Sequence, residues 1–292
     1  MSEQGARPRS VRSAPREVVE LRAIKAHHPE LADAVDMHIE LLELHRRIQS
    51  RVPQPWFEFG ADVMARHQAE GRPLLRFEAI PLELSDLRLL VRQTAEILRR
   101  FGALEDADYQ LAQTIGRDPN LLGMVAHWYR SASERGNAVA APIAVTGPGV
   151  DSEMMGQVFT LVMRPFLVRC AEVLQQRPEL GSWAHAHCAL CGGEADFAVI
   201  TPAAERHLIC GRCTLRWAFE PLTCPYCQNR DRARITSFAT TDGQYRVYAC
   251  DVCRRYLKAF DGRRATRPVM LMVDTVATLP LDAAAIQRGY VG

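Results

Sequence analysis

The sequence predicts an α+β chain: an all-helical N-terminal domain followed by two small β modules of zinc-ribbon type, each built around four cysteines. Three observations carry this. The first 169 residues contain no cysteine, and eight of the nine cysteines fall between 188 and 253. Apolar residues in the first half recur at three-to-four spacing, the period of a buried helix face. Beyond residue 188, short β-rich runs alternate with cysteine turns, glycine and proline.

The chain has 292 residues, enough for more than one domain with a proper core. Apolar residues make up 48% and charged residues 24%, an ordinary globular composition, and the formal charge is only +2. Residues 1–15 are polar and basic and are expected to form a flexible tail. No apolar run of signal-peptide or membrane-spanning length follows, so a cytoplasmic protein without membrane insertion is expected.

A helical domain is expected over 16–180. Leu31, Val35, Ile39 and Leu42 make one apolar stripe. Leu84, Leu87, Val91, Leu98 and Phe101 make a second, with Ser85 or Asp86 suited to cap its start. A helical stretch at 105–135 is expected to break near 116–120. After a loop with Pro142, Gly147, Pro148 and Gly149, Asp151 can open a helix carrying Phe159, Val162, Phe166, Cys170 and Val173, with a kink at Pro165. Cys170 reads as a small buried hydrophobe.

The first cysteine module is expected over 181–221 and the second, with the C-terminal tail, over 222–292. Strands are expected in ADFAVIT, RHLIC, LRWAFE, RITSFAT and YRVYAC. The tail from Pro268 reads as a strand-like run and then a helix from Leu281. The cysteines form four Cys-x-x-Cys pairs: Cys188/Cys191, Cys210/Cys213, Cys224/Cys227 and Cys250/Cys253. The gaps between pairs are 18, 10 and 22 residues. The first and third gaps suit a β-hairpin that leaves one cysteine turn and returns to the next. Pairing in sequence order would therefore give two tetrathiolate metal sites, with cross-braced pairing as the alternative. The two-residue spacer lets one tight turn aim both sulfurs at a single point. Either iron or zinc suits such a set.

The pair Cys224-Pro-Tyr-Cys227 has a competing reading as a thiol–disulfide oxidoreductase dithiol. That chemistry needs a helix N-terminus to lower the thiol pKa, and the residues that follow read as a turn and a strand. A nucleic-acid-binding ribbon is the third reading. Between 188 and 267 there are 13 Lys/Arg against 8 Asp/Glu. Eight thiolates with two divalent ions would bring that surplus down to about +1, too little for a polyanion-binding surface. Arg212, Arg216, Arg230, Arg254 and Arg255 read as offsetting the anionic centres. Arg254, Arg255, Arg263 and Arg264 read as a solvated face. His185, His187 and His207 flank the first site as neighbours, not ligands. Trp217 and Phe219 read as core between the modules. No constellation of catalytic residues stands out, and a non-enzymatic protein is expected.

Four stretches, CALCG, LICGRCTLRWAFEPLTCPYC, YACDVCRRYLKAF and VDTVATLPLDAAAIQRGY, resemble the FdhE family of formate dehydrogenase accessory proteins. The resemblance covers most of 188–292. It implies a helical domain followed by two rubredoxin-like modules, with iron associated with the latter. It also implies a cytoplasmic maturation factor that engages the catalytic subunit of a respiratory formate dehydrogenase. A homodimer is left open.

Overall fold

The computed structural model describes residues 14–134, 153–175, 180, 183–263 and 265–292. The expected tail up to residue 13, the loop at 142–149, the helix start at Asp151 and Arg264 lie outside the described residues. Among the described residues seven α-helices come first: α1 (Arg16–His27), α2 (Ala32–Gln49), α3 (Ala61–Glu70), α4 (Leu84–Arg100), α5 (Asp106–Ile115), α6 (Leu121–Glu134) and α7 (Glu153–Leu174). Their apolar stripes are buried in part as the spacing predicts: Val35, Leu87, Val91, Val162 and Phe166 are fully buried, whereas Leu31, Ile39, Phe101 and Val173 are half-buried and Leu84, the first residue of α4, is exposed. Helix α4 starts at Leu84 without a side-chain cap, and Asp86 instead accepts from Arg51 at 3.3 Å. Helix α7 runs unbroken through Pro165.

Six strands follow: β1 (Ala195–Ile200), β2 (Arg206–Cys210), β3 (Arg216–Ala218), β4 (Ile235–Ala239), β5 (Tyr245–Cys250) and β6 (Tyr256–Asp261). They form one sheet in the order β3-β2-β1-β6-β5-β4. Each cysteine module contributes three antiparallel strands with the same internal order. The modules join head to tail, the first strand of one lying parallel to the last strand of the other, with Phe197 opposite Lys258 and Val199 opposite Phe260.

The tail from Pro268 differs from its predicted form. Its apolar run is helix α8 (Leu271–Ala277), followed by α9 (Leu279–Gln287). An unbroken apolar run carries no period by which to separate helix from strand. Here the choice falls to tertiary contacts, with Val273 and Val276 buried against Leu21 of α1 and Val35 of α2.

Alternation along the strands divides the sheet between two cores. Ala198, Leu208, Leu257 and Ala259 face a core that continues into Leu90, Phe159 and Phe166 of the helices. Phe197, Ile209, Val247 and Phe260 face the opposite way, onto Leu281, Ala285 and Tyr290. Cys188, Cys191, Cys210 and Cys213 belong to the first of these cores, so the helices and the first cysteine cluster share one apolar interior.

Candidate metal centres

All four Cys-x-x-Cys turns are built alike. The N–H of the residue after the second cysteine donates to the carbonyl of the first: Gly192 to Cys188 at 3.0 Å, Thr214 to Cys210 at 3.1 Å, Gln228 to Cys224 at 3.0 Å, Arg254 to Cys250 at 2.9 Å. The first cysteine's own N–H then donates to the carbonyl of Gly193, Leu215, Asn229 and Arg255 respectively, at 2.9–3.0 Å. Closing so tight a turn puts the intervening residue at positive φ, 70° at Gly192, 60° at Thr214 and Gln228, 59° at Arg254. Glycine takes this conformation freely, and the other three each cost about 1 kcal/mol. The turn therefore tolerates the absence of the glycine that only its first copy carries.

The turns bring their sulfurs together in two sets, Cys188/Cys191/Cys210/Cys213 and Cys224/Cys227/Cys250/Cys253, each with all sulfurs within 4.8 Å of one another. The grouping follows sequence order and is not cross-braced. Hairpin β1–β2 fills the first gap and hairpin β4–β5 the third. Close Sγ–Sγ separations are 3.4 Å for Cys188–Cys213, 3.5 Å for Cys191–Cys210, 3.7 Å for Cys224–Cys253 and 3.6 Å for Cys227–Cys250. A disulfide would need about 2.05 Å. Four sulfurs at about 2.3 Å from a tetrahedral ion stand about 3.8 Å apart, close to what is found. The donor sets thus fit a metal ion, which either set could hold.

The chemistry of the donors points the same way. Burial pushes the Cys188 and Cys213 thiols well above their ordinary pKa and the Cys253 thiol up to about 11, whereas against the same burial hydrogen bonds from the neighbouring thiols and turn N–H groups hold Cys210 and Cys250 below theirs. Each set thus favours one thiolate and resists the rest, and a divalent cation would supply the charge that lets all four ionise together.

The two sets differ in depth. All four sulfur residues of the first are fully buried, whereas Cys227 and Cys253 of the second are partly exposed. The segment after α3 locks the first set in place: Leu74 N–H donates to Ala189 O at 3.0 Å and Leu75 N–H to Leu190 O at 2.9 Å. Arg164, deep within α7, donates to Gly211 O at 2.5 Å. Burial pulls its pKa below the usual arginine range, while Asp196, Cys210 and Cys213 hold it up. Arg212 lies 4.6 Å over the Trp128 ring. A side chain at Gly193 would meet Cys210 Sγ and Arg212 at 3.0 Å, so the backbone there packs directly on the cluster.

No family model matches the chain. A protein from Shewanella oneidensis described as "Protein FdhE homolog" is 30% identical over 107 residues, 35% of this chain and 35% of that protein. The aligned stretch thus spans about a third of the relative's length. The crystal structure of the FdhE protein from Pseudomonas aeruginosa has the same fold, with a TM-score of 0.62 over 94% of this chain and 92% of that one, at 17% identity. The resemblance to the FdhE family is borne out.

Within this FdhE-like fold, the CPYC turn does not sit at a helix start. Cys224 and Cys227 each approach a sulfur of the Cys250/Cys253 turn, and the next regular elements are a short 3-10 turn (Arg232–Arg234) and β4. Its Tyr226 hydroxyl donates toward Ala195 O at 3.1 Å and Tyr256 O at 3.3 Å, pinning the turn where β1 meets β6. Arg255 lies 3.7 Å over that ring and grips Glu194 with two bonds at 2.8 and 3.2 Å, which ties the second centre to the first. The histidines stand apart from the sulfurs. His185 and His187 bond the carbonyls of Gln68 and Gly71, and His207 lies 3.5 Å from Glu205. Trp217 is buried and donates to His185 O at 3.0 Å. Phe219 lies beneath Arg206, whose guanidinium donates to Glu220 O and, at 2.6 Å, to Thr223 O, bracing the linker between the modules. Burial lowers the Arg206 pKa to about 10. Cys170 is fully buried, and burial pushes its thiol up to about 12.

The tail, to which the sequence reading assigns no chemistry of its own, holds the second module. Asp274 is fully buried and accepts from Arg267 at 2.6 Å, from the Tyr245 hydroxyl at 2.8 Å and from Met270 N–H at 2.6 Å. Asp282 accepts from the Tyr256 hydroxyl and Lys258, both at 2.7 Å. Tyr290 donates to Asp251 at 2.6 Å, inside the last cysteine turn, and Arg254 of that turn bonds the carbonyls of Arg288 and Gly289. The D…D…G-Y signature of the tail is therefore a clasp on the second module. Asp274→Ala removes the buried carboxylate shared by Arg267, the Tyr245 hydroxyl and Met270 N–H, while Arg267 keeps Glu20 at 3.8 Å; it is expected to lower the unfolding free energy by about 1–3 kcal/mol, read from a shift in the urea midpoint.

Proposed function

We propose that the chain is a non-enzymatic assembly factor for a formate dehydrogenase, binding the catalytic subunit of that enzyme before its maturation is complete. All eight paired cysteines would serve as metal ligands, Cys188, Cys191, Cys210 and Cys213 for one iron or zinc ion and Cys224, Cys227, Cys250 and Cys253 for the other. The observation that carries the reading is the pair of four-sulfur centres in an FdhE-like fold. A tetrahedral ion with four protein thiolates keeps no open position for substrate, so these centres suit scaffolding better than catalysis. Their contribution is to hold the paired turns, and with them the sheet, in register. The oxidoreductase reading has lost its support, since Cys224 and Cys227 lack the helix start that would activate a thiolate. Among the described residues no helix is long and apolar enough to cross a membrane, which agrees with a factor acting beside its client instead of anchoring it.

The test is affinity purification of the tagged chain from its native cells, grown without oxygen and expressing formate dehydrogenase. Enrichment of the catalytic subunit, together with loss of formate oxidation when the chain is deleted, is the expected result. A detectable subunit in the lysate that is never enriched with the tagged chain would overturn the assignment.

A further inference from the structure

We infer that the outer edge of β4 is a docking site at which an acidic segment of a partner protein adds as a seventh strand. This goes beyond the client assignment and does not depend on which enzyme the client is.

The observation is an edge left open. β4 ends the sheet, and its neighbour on the inner side is β5, in regular antiparallel register from Ile235–Cys250 to Ala239–Arg246. Sheet edges carry unpaired N–H and C=O groups, and proteins ordinarily blunt them with charges, proline, bulges or a covering element. The five residues of β4, ITSFA, contain neither a charge nor a proline, and no bulge interrupts their pairing. Thr236, Ser237 and Ala239 are exposed. The opposite edge, β3, has only three residues and carries the buried Trp217.

Charge selects the occupant. Arg230, Arg232 and Arg234 lead directly into β4, and all three are exposed. Among the described residues none of them is in an ion pair; the nearest acid in sequence, Asp231, is engaged in capping Ala233 N–H at 3.0 Å. Three exposed guanidinium groups outside any described ion pair, at the head of an unblocked edge, fit an extended segment whose acidic residues lie at that end. Main-chain bonds would supply affinity and the charges would set direction and register. A second copy of this chain fits less well, because antiparallel β4–β4 pairing would set three arginines against little more than Asp242, which is already held by Thr240 at 2.6 Å. The edge also starts at the second centre, with Ile235 opposite Cys250, so the added strand would run out from the better exposed cluster.

The test uses the full metal-loaded chain and two fluorescent peptides, one with three glutamates followed by alternating valine and threonine, the other with lysines in place of the glutamates. The acidic peptide should bind at least about tenfold more tightly, and amide exchange should slow in 235–239 on binding. The triple variant Arg230→Glu, Arg232→Glu, Arg234→Glu changes only exposed positions. It should keep its circular dichroism and metal content and reverse the preference towards the lysine peptide. No binding of the acidic peptide, indifference to the charge reversal, or protection elsewhere in the chain would overturn the proposal. So would a concentration-dependent dimer that protects 235–239 without any peptide, which would assign the edge to a second copy.

Discussion

Cys191→Ser is expected to abolish metal at the first centre and to bring down the helical half of the chain with it, while Cys253→Ser should damage the second module alone. The difference follows from where each cluster sits. Cys188, Cys191, Cys210 and Cys213 lie within the same apolar interior as Leu90, Phe159 and Phe166, and two main-chain bonds from Leu74 and Leu75 clamp the first turn. Losing an ion there leaves four buried sulfurs without the charge that holds them together, and takes from Arg164 the thiolates that, with Asp196, favour its charged form. Structural zinc contributes about 10–16 kcal/mol in small domains, as much as the whole net stability of an ordinary protein, about 5–15 kcal/mol. Cys253, by contrast, lies partly exposed at the rim of the second cluster, where water can relieve some of the cost. Metal analysis and thermal unfolding followed at a helix wavelength discriminate the two. The first variant should lack a cooperative transition or fail to accumulate. The second should hold one ion and keep a helical transition within a few degrees of the parent. Equal loss from both substitutions would mean that the two centres are a single cooperative unit.

Much of this division was legible in the sequence, and the limits of legibility have physical causes. Hairpin-length gaps between cysteine pairs implied sequential grouping because a hairpin returns its ends to one place, and β1–β2 and β4–β5 do so. The helical stripes were legible for the same local reason. The strand YLKAFD was not singled out. It lies at the centre of the sheet, buried on both faces, so it shows no alternation, and its Lys258 and Asp261 disguise it; Lys258 is there because Asp282 of α9 receives it. Joining of the modules through β1 and β6 was equally hidden, since parallel pairing between strands some 60 residues apart leaves no local mark. Arg164 is the clearest omission at the site itself. Within FTLVMRPFLV it reads as one charge interrupting a helix stripe, and only the fold carries it to Gly211. Glycine follows only the first of the four cysteine pairs, at Gly192 with φ 70°. Thr214, Gln228 and Arg254 adopt that turn without glycine, so composition understated how regular the four turns are.

Metal should leave the two centres in a fixed order, the second before the first. Release requires a competing ligand to reach a sulfur or the sulfur to leave the ion, and both need access. Cys227 and Cys253, one from each turn of the second centre, are already partly exposed, whereas the first centre has no exposed sulfur at all. Local openings at a protein's rim cost little, but exposing a shared core costs a large part of the global stability. A difference of about 3 kcal/mol in opening free energy already separates the rates by roughly a hundredfold. With the zinc-loaded chain and a chromogenic chelator, release is therefore expected in two phases of equal amplitude, the fast one leaving far-UV dichroism unchanged and the slow one accompanied by its loss. Alkylation stopped after the fast phase should mark Cys227 and Cys253 first, then Cys224 and Cys250, with the remaining cysteines untouched. Cys253→Ser should erase the fast phase and leave the slow one in place. A single phase carrying both ions, or labelling that begins at Cys188, Cys191, Cys210 or Cys213, would show that burial in the folded chain does not govern exchange. If the order holds, the first centre is a permanent part of the core, and the second, beside the open edge of the sheet, is where a metal-dependent response can arise without unfolding the rest.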